Sequence, residues 1–309
     1  MLWWVFGIVL VVMLALDLGI LNRRPHAITL KEALSWSAVW IGLAFAFMVL
    51  VYFTRGQQAA LEFLTCYLIE ESLSVDNLFV FLVLFSYFHV PKELHHKALF
   101  WGIVGAIVMR AIFIATGVAI ISRFEWLIYI LGAMLIWLGV RMAFSKDQEV
   151  HPEKNPVLRI FRKLMPVTKD YVDGKFFVRT AGKLFATPLF VVLLVIESTD
   201  VVFAIDSVPA ALAISRDPFV VYTSNVFAIL GLRSLYFALA GIMPMFVYLH
   251  YGLSLILVFT GVKMIASHWV RIPIGAALGF VGGTLVISVL ASLWKARRDP
   301  PPPQVPPAA

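Results

Sequence analysis

The sequence predicts an all-α, polytopic membrane protein of about nine transmembrane helices, and three observations predict it. The 309-residue chain is 61% hydrophobic and only 14% charged, with a mean hydropathy of +0.91; soluble domains are about 45–50% apolar. Its apolar residues fall in continuous runs of the ~20 residues that a helix needs to cross a bilayer. Those runs lack the ~10-residue alternation of an outer-membrane barrel.

Nine segments meet the length: 2–21, 35–54, 60–88, 98–121, 124–144, 184–213, 219–240, 245–266 and 273–294. The first has no basic residues ahead of it and no small-residue cleavage site, so it reads as a retained helix rather than a signal peptide. Loops 22–34, 89–97 and 145–183 and the C-terminal tail together hold 17 Lys and Arg, whereas the opposite loops hold four, Arg55, Arg123, Arg216 and Arg271. The excess of basic residues marks the cytoplasmic side. The N-terminus is then outside and the C-terminus cytoplasmic, as nine spans require. Residues 1–295 form one transmembrane domain with a cytoplasmic loop at 145–183, in which a short helix is predicted at 156–165. Residues 296–309 are a proline-rich tail predicted to be disordered. The net charge of +7 does not point to nucleic acid, because the basic residues sit in loops on one side. Cys66 is the single cysteine, so no internal disulfide can form, and it reads as a small packing residue.

An internal repeat is visible. YILGAMLIWLGVRMAF (129–144) matches YGLSLILVFTGVKMIA (251–266), and MRAIF (109–113) matches LRSLY (232–236), pairing Arg110 with Arg233. The acidic third span matches the acidic sixth. A shift of three spans reverses direction through the membrane, so helices 3–5 and 6–8 form an inverted repeat, with the site expected at their interface.

Five carboxylates interrupt the apolar runs: Glu70 and Asp76 in LIEESLSVDNLFVF (68–81), and Glu197, Asp200 and Asp206 in VIESTDVVFAIDSVPA (195–210). Each costs roughly 2.5–3.5 kcal/mol near the bilayer centre, so they must face a shared polar interior, paired, protonated or holding a cation. At about 100° per residue, Glu197 and Asp200 share a face, but Asp206 lies about 180° from Glu197 and Asp76 about 120° from Glu70. A straight helix cannot aim all five into one pocket. Helices 3 and 6 are therefore predicted to be broken at the acids, where Ser72, Ser74, Asn77, Ser198, Thr199, Ser207 and Pro209 gather. Asn77 and Ser207 adjoin Asp76 and Asp206 and are accessory candidates. Asp17 in the first span either joins the site or snorkels to the interface. Arg110 and Arg233 either hold an acid in the absence of metal or cap backbone carbonyls. Glu71 points about 100° away from Glu70 and ranks below it.

Oxygen-only ligands favour hard cations such as Mg²⁺, Ca²⁺ or Mn²⁺. The seven histidines lie in loops or at span ends, which argues against a zinc or copper site.

The segments LIEESLSVDNLFVF, ESTDVVFAIDSVPA (197–210), SNVFAILGLRSLYF (224–237) and LHYGLSLILVFTGVKM (249–264) resemble the TerC family of membrane proteins, most of all its Alx branch, over about residues 1–295. The resemblance implies that Glu70, Asp76, Glu197, Asp200 and Asp206 form a metal site. It implies a multi-pass protein of the bacterial cytoplasmic membrane that exports Mn²⁺. Tellurite, linked to the family by name, is an anion and does not suit an acidic site.

The leading expectation is a secondary transporter exporting a divalent metal, with Mn²⁺ as substrate and no prosthetic cofactor. No GxxxxGK[ST] motif is present, so an ion gradient or the membrane potential would drive it; clustered acids also suit proton exchange. The alternative is a membrane partner that delivers metal to secreted proteins, with loop 145–183 as its contact surface. An enzyme is not expected: there is no GxGD, no HExxH and no intramembrane serine–histidine pair. The pairs Gly102/Gly105, Gly275/Gly279 and Gly279/Gly283 permit close helix packing, within the chain or in a homo-oligomer.

Overall fold

The computed structural model describes residues 2–21, 30–124, 126–144, 155–180, 183–239, 248–267, 269–270 and 272–298. The side chains of 16–21, 30, 75, 76, 79, 180, 206 and 239 lie outside the description. The predictions for Asp17, Asp76 and Asp206 as ligands, and for most of the tail, therefore fall outside the described residues.

Ten helices and one two-stranded hairpin are described: α1 (Leu2–Leu21), α2 (Leu30–Arg55), α3 (Gln57–Tyr87), α4 (Lys92–Arg123), α5 (Leu127–Phe144), α6 (Pro156–Leu164), β1 (Phe177–Thr180), β2 (Lys183–Ala186), α7 (Pro188–Ile214), α8 (Pro218–Leu239), α9 (Leu249–Ala266) and α10 (Ile274–Arg298). Each of the nine predicted spans coincides with one helix, the predicted sixth being α7. Seven of them (α2, α4, α5, α7, α8, α9 and α10) are long and apolar enough to cross a membrane. Of the other two, α1 is apolar over Leu2–Ala15, while α3 is 31 residues long but carries Glu62, Glu70, Glu71 and Asp76. Trp4, Phe53, Ile112, Trp137 and Ile287 stand exposed on the outside of the bundle, the composition a lipid-facing surface requires.

The predicted break in helices 3 and 6 is not seen: α3 runs unbroken from Gln57 to Tyr87 and α7 from Pro188 to Ile214, with Pro209 inside it. The hydroxyl groups expected to divert the backbone instead bond carbonyls within the helix. Ser72 donates to Leu68 O, and both Ser198 and Thr199 donate to Val195 O. Serine and threonine that bond back in this way leave the helical ladder in place. Helix α7 also begins later than predicted. Thr187 is extended ahead of Pro188, as the residue before a proline must be, and Pro188 sits in the first turn, where its missing N–H is harmless.

α8 lies innermost, with 89% of its apolar window buried. Phe227 is the hub of an aromatic group that includes Phe6, Phe47 and Phe63, and Trp40 donates to Ser234 at 3.2 Å. Contacts fix the directions of the acid-bearing helices. Gly102 stands against Ile196 and Gly117 against Leu212, so α4 and α7 run parallel. Cys66 Sγ approaches Ala211 O at 3.7 Å and Ser215 donates to Glu62 at 2.6 Å, so α3 runs antiparallel to α7.

α5 and α9 are 18 residues each and pack antiparallel at very short range. A Cβ on Gly139 would stand 2.7 Å from Ser254 O and 2.8 Å from Val258 Cγ2; a Cβ on Gly261 would stand 2.6 Å from Gly132 O and 2.9 Å from Ile136 Cγ1. In the matched sequences, Gly139 corresponds to Gly261, Ser254 to Gly132 and Val258 to Ile136. The contact is thus reciprocal, the pattern that a two-fold axis between the helices produces.

The described part of loop 145–183 is more ordered than a plain loop. The predicted short helix is α6, with Asn155 accepting from the backbone N–H groups of Val157 and Leu158 and Pro156 in the first turn. The β1–β2 hairpin was not predicted; Phe177 pairs with Ala186 and Thr180 with Lys183. Two side-chain hydrogen bonds tie this region to the interior of α7 and the end of α3, besides those that Thr187, at the start of α7, makes with Lys175 and Phe176. Asn155 Nδ2 donates to Ser198 Oγ at 2.7 Å, and the Tyr171 hydroxyl donates to Phe88 O at 2.8 Å. Burial pushes the Tyr171 hydroxyl up to about 12, so it stays protonated and donating at neutral pH.

Candidate metal-binding site

At mid-height of the bundle, α3, α4, α7 and α8 converge on one side chain. Arg110 of α4 is fully buried, and it meets Glu70 from α3, Asp200 and Ser207 from α7, and Asn225 from α8. Its Nη1 forms an ion pair with Glu70 and donates at 2.9 Å to both Ser207 Oγ and Asn225 Oδ1; its Nη2 reaches Asp200 Oδ1 at 3.4 Å. Asn225 Nδ2 donates to the other oxygen of Glu70 at 2.9 Å. Helix geometry explains the convergence without any unwinding. Glu70 and Asp200 need not share a helix face, because they belong to two antiparallel helices that both face α4.

The electrostatics are those of a buried ion network. Glu70 is 1% exposed and Asp200 5%. Two carboxylates so placed repel each other in a low-dielectric medium, and the guanidinium between them offsets that repulsion. The hydrogen bonding is uneven. Nη1 carries two protons and faces three acceptors, while Arg110 Nε, Asp200 Oδ2 and Ser74 Oγ are buried with no partner among the described residues. Ser74, Arg110 and Asp200 all line one cavity of about 10 Å³, room for a single water centre, together with Asn77, Gly102 and Ile196. Unpartnered buried polar atoms are uncommon and mark places where a ligand or ion is accommodated.

Glu197 lies apart from this network. Its carboxylate occupies the space over Gly105 of α4: a Cβ there would sit 2.0 Å from Oε1. Glu71 turns the other way, toward Gly231 of α8 and Trp40 of α2, as its angular offset from Glu70 predicts. Arg233 is buried on α8. Asn77 lines the cavity and Ser207 accepts from Arg110, so both accessory candidates stand at the site. Among the described residues, no three His, Cys, Asp or Glu side chains form a ready-made metal cage. Glu70 and Asp200 are brought together by Arg110 rather than around a shared point. Cys66 is free and buried, packed against α7 as expected.

Sequence reading missed Asn225, Ser74 and the role of Gly105. Asn225 was detectable as the amide that opens the run NVFAILGLR, which carries Arg233. Gly105 gave no signal beyond close packing, because only the partner helix shows what fills its missing side chain.

A profile of the family described as Integral membrane protein TerC family matches residues 55–300. An uncharacterized membrane protein of Myxococcus xanthus, STKORF319, is 46% identical over 97% of this chain and 94% of its own. The Alx protein of Escherichia coli (strain K12), whose name presents it as a candidate membrane-bound redox modulator, is 46% identical over 95% of this chain and 94% of its own. An uncharacterized membrane protein of Rickettsia bellii is 38% identical over 94% and 96%. No solved structure matches.

Proposed function

Because the chain belongs to the TerC family of integral membrane proteins, we propose that it is a secondary transporter that exports a divalent cation through the Glu70–Asp200 region. One observation carries this reading: two carboxylates from two helices meet, buried, at mid-bundle, beside an orphaned carboxylate oxygen and a small polar cavity. An all-oxygen donor set suits a hard cation, and the family resemblance favours Mn²⁺ and the outward direction. Glu197, Asp76 and Asp206 would complete the ligand set during transport. No enzymatic role is proposed.

The reciprocal contact of α5 with α9 supports an inverted repeat, and alternating access would rock one half against the other. The basic α6–hairpin region and Lys295, Arg297 and Arg298 lie at the same end of the bundle, which supports a cytoplasmic C-terminus in the bacterial inner membrane. A redox role through its own thiols would need a second cysteine for an internal disulfide, and the chain has one. A metal-delivery partner is the second reading, favoured by the anchoring of α6 beside Glu197.

The test is flux of Mn²⁺, Ca²⁺, Mg²⁺ and Zn²⁺ in proteoliposomes, with and without a pH gradient. Mn²⁺ flux that Asp200→Asn abolishes is the expected result; no flux of any metal through folded, inserted protein would leave the delivery reading in its place. Gly105→Ala probes Glu197 separately. The colliding atoms are the end of a flexible side chain that can swing aside, so flux should fall several-fold while the melting temperature changes little. Unchanged flux in that variant would remove Glu197 from the pathway.

A further inference from the structure

We propose that Arg110 is a tethered counter-cation that the transported metal must displace. The inference rests on the transporter reading and names how the same site is regulated. Arg110 is fully buried and contacts all three neighbouring helices, so its single positive charge offsets part of the charge on Glu70 and Asp200 whenever the pair is without metal. A dication bound between these carboxylates would sit beside a guanidinium in a low-dielectric interior, where like charges repel strongly. The two cations therefore oppose each other, and the site alternates between the arginine held against both acids and the metal held between them.

The geometry indicates which contact yields first. The Glu70 arm is strong, with the guanidinium on one oxygen and the Asn225 amide on the other. The Asp200 arm is weak, a single contact at 3.4 Å with Oδ2 unpartnered and Nε of the arginine unused. Buried polar atoms without a protein partner call for a further occupant, such as a water or an ion. The small cavity touches the weak arm, lined by Asp200, Ser74 and Asn77. A cation arriving there meets the free carboxylate oxygen first, and Arg110 withdraws toward Ser207 and Asn225. On release, the arginine returns to both acids and lowers the charge of the empty site before it reorients.

The full-length protein in nanodiscs is titrated with Mn²⁺, following free Mn²⁺ by its electron paramagnetic resonance signal, and flux is measured in proteoliposomes. Arg110→Gln removes the competitor but keeps an amide for Ser207 and Asn225. It should bind Mn²⁺ at least tenfold more tightly than wild type and carry at least tenfold less flux, because release loses its driving contact. Weaker or equal binding by this variant, with wild type binding and transporting, overturns the inference and leaves the transporter reading standing. Wild type that neither binds nor carries Mn²⁺ overturns both. Should Arg110→Gln fail to fold, Arg110→Lys decides: one ammonium cannot fork across both acids, so binding a few-fold tighter than wild type is expected, and equal or weaker binding rejects the proposal.

Discussion

Glu70→Ala is expected to lower stability by about 3–5 kcal/mol, the usual effect of removing one partner from a buried ion pair, and to abolish metal flux. The loss is large because two buried groups depend on this carboxylate. Arg110 would keep only the 3.4 Å contact to Asp200 as a charged partner, and the Asn225 amide would lose its acceptor. A buried guanidinium left short of counter-charge is much worse than the same site without any ions. Glu70→Gln preserves volume and one hydrogen-bond acceptor, so it should unfold less easily than the alanine variant while transporting no better. Thermal melts in detergent alongside proteoliposome flux check both parts. An alanine variant that melts like wild type would show that the network around Arg110 does not hold the bundle together.

The second large effect is expected at the α5–α9 contact. Gly139→Ala and Gly261→Ala each insert a methyl within 3.0 Å of backbone atoms of the facing helix, where no side chain can swing aside. Overpacking of this kind typically costs about 1–3 kcal/mol. The pair should not be additive, since the first methyl already separates the helices and makes room for the second. A double-mutant cycle on melting temperature, with a penalty smaller than the sum, is the anticipated result. Two alanine variants as stable as wild type would mean that the helices meet elsewhere.

Much of this architecture was legible before any coordinates. Runs of ~20 apolar residues must become helices in a bilayer, because no other backbone satisfies its own polar groups there, and each predicted run is one helix. The glycines of the GVRM and GVKM segments, matched in the repeat, fall at a close helix contact that the sequence did not announce. What could not be read was the third dimension of the site. Angular offsets along one helix argued that the acids could meet only if α3 and α7 broke. They are both continuous, and Glu70 and Asp200 meet through an arginine from α4. Whether Arg110 capped carbonyls or held acids was undecided in the sequence; both of its ion pairs are with acids from other helices. Gly105 looked like a packing residue because the carboxylate that fills its space belongs to a segment about 90 positions away. The hairpin gave a weak signal: Phe177-Val178-Arg179-Thr180 and Lys183-Leu184-Phe185-Ala186 flank Ala-Gly, which is not one of the strong two-residue turn pairs.

The two hydrogen bonds that anchor the α6–hairpin region have a mechanical consequence. One ends on Ser198, beside Glu197 on α7, and the other on Phe88, which caps α3. The region thus spans the gap between the two acid-bearing helices as a strut fixed at both ends. If α3 and α7 slide past each other, the strut must either travel with one of them or release a bond. Any displacement at mid-membrane is therefore transmitted, as tension, to a surface segment outside the lipid. This segment is a strain gauge built into the fold, positioned where the motion of the acids can be read from the aqueous side.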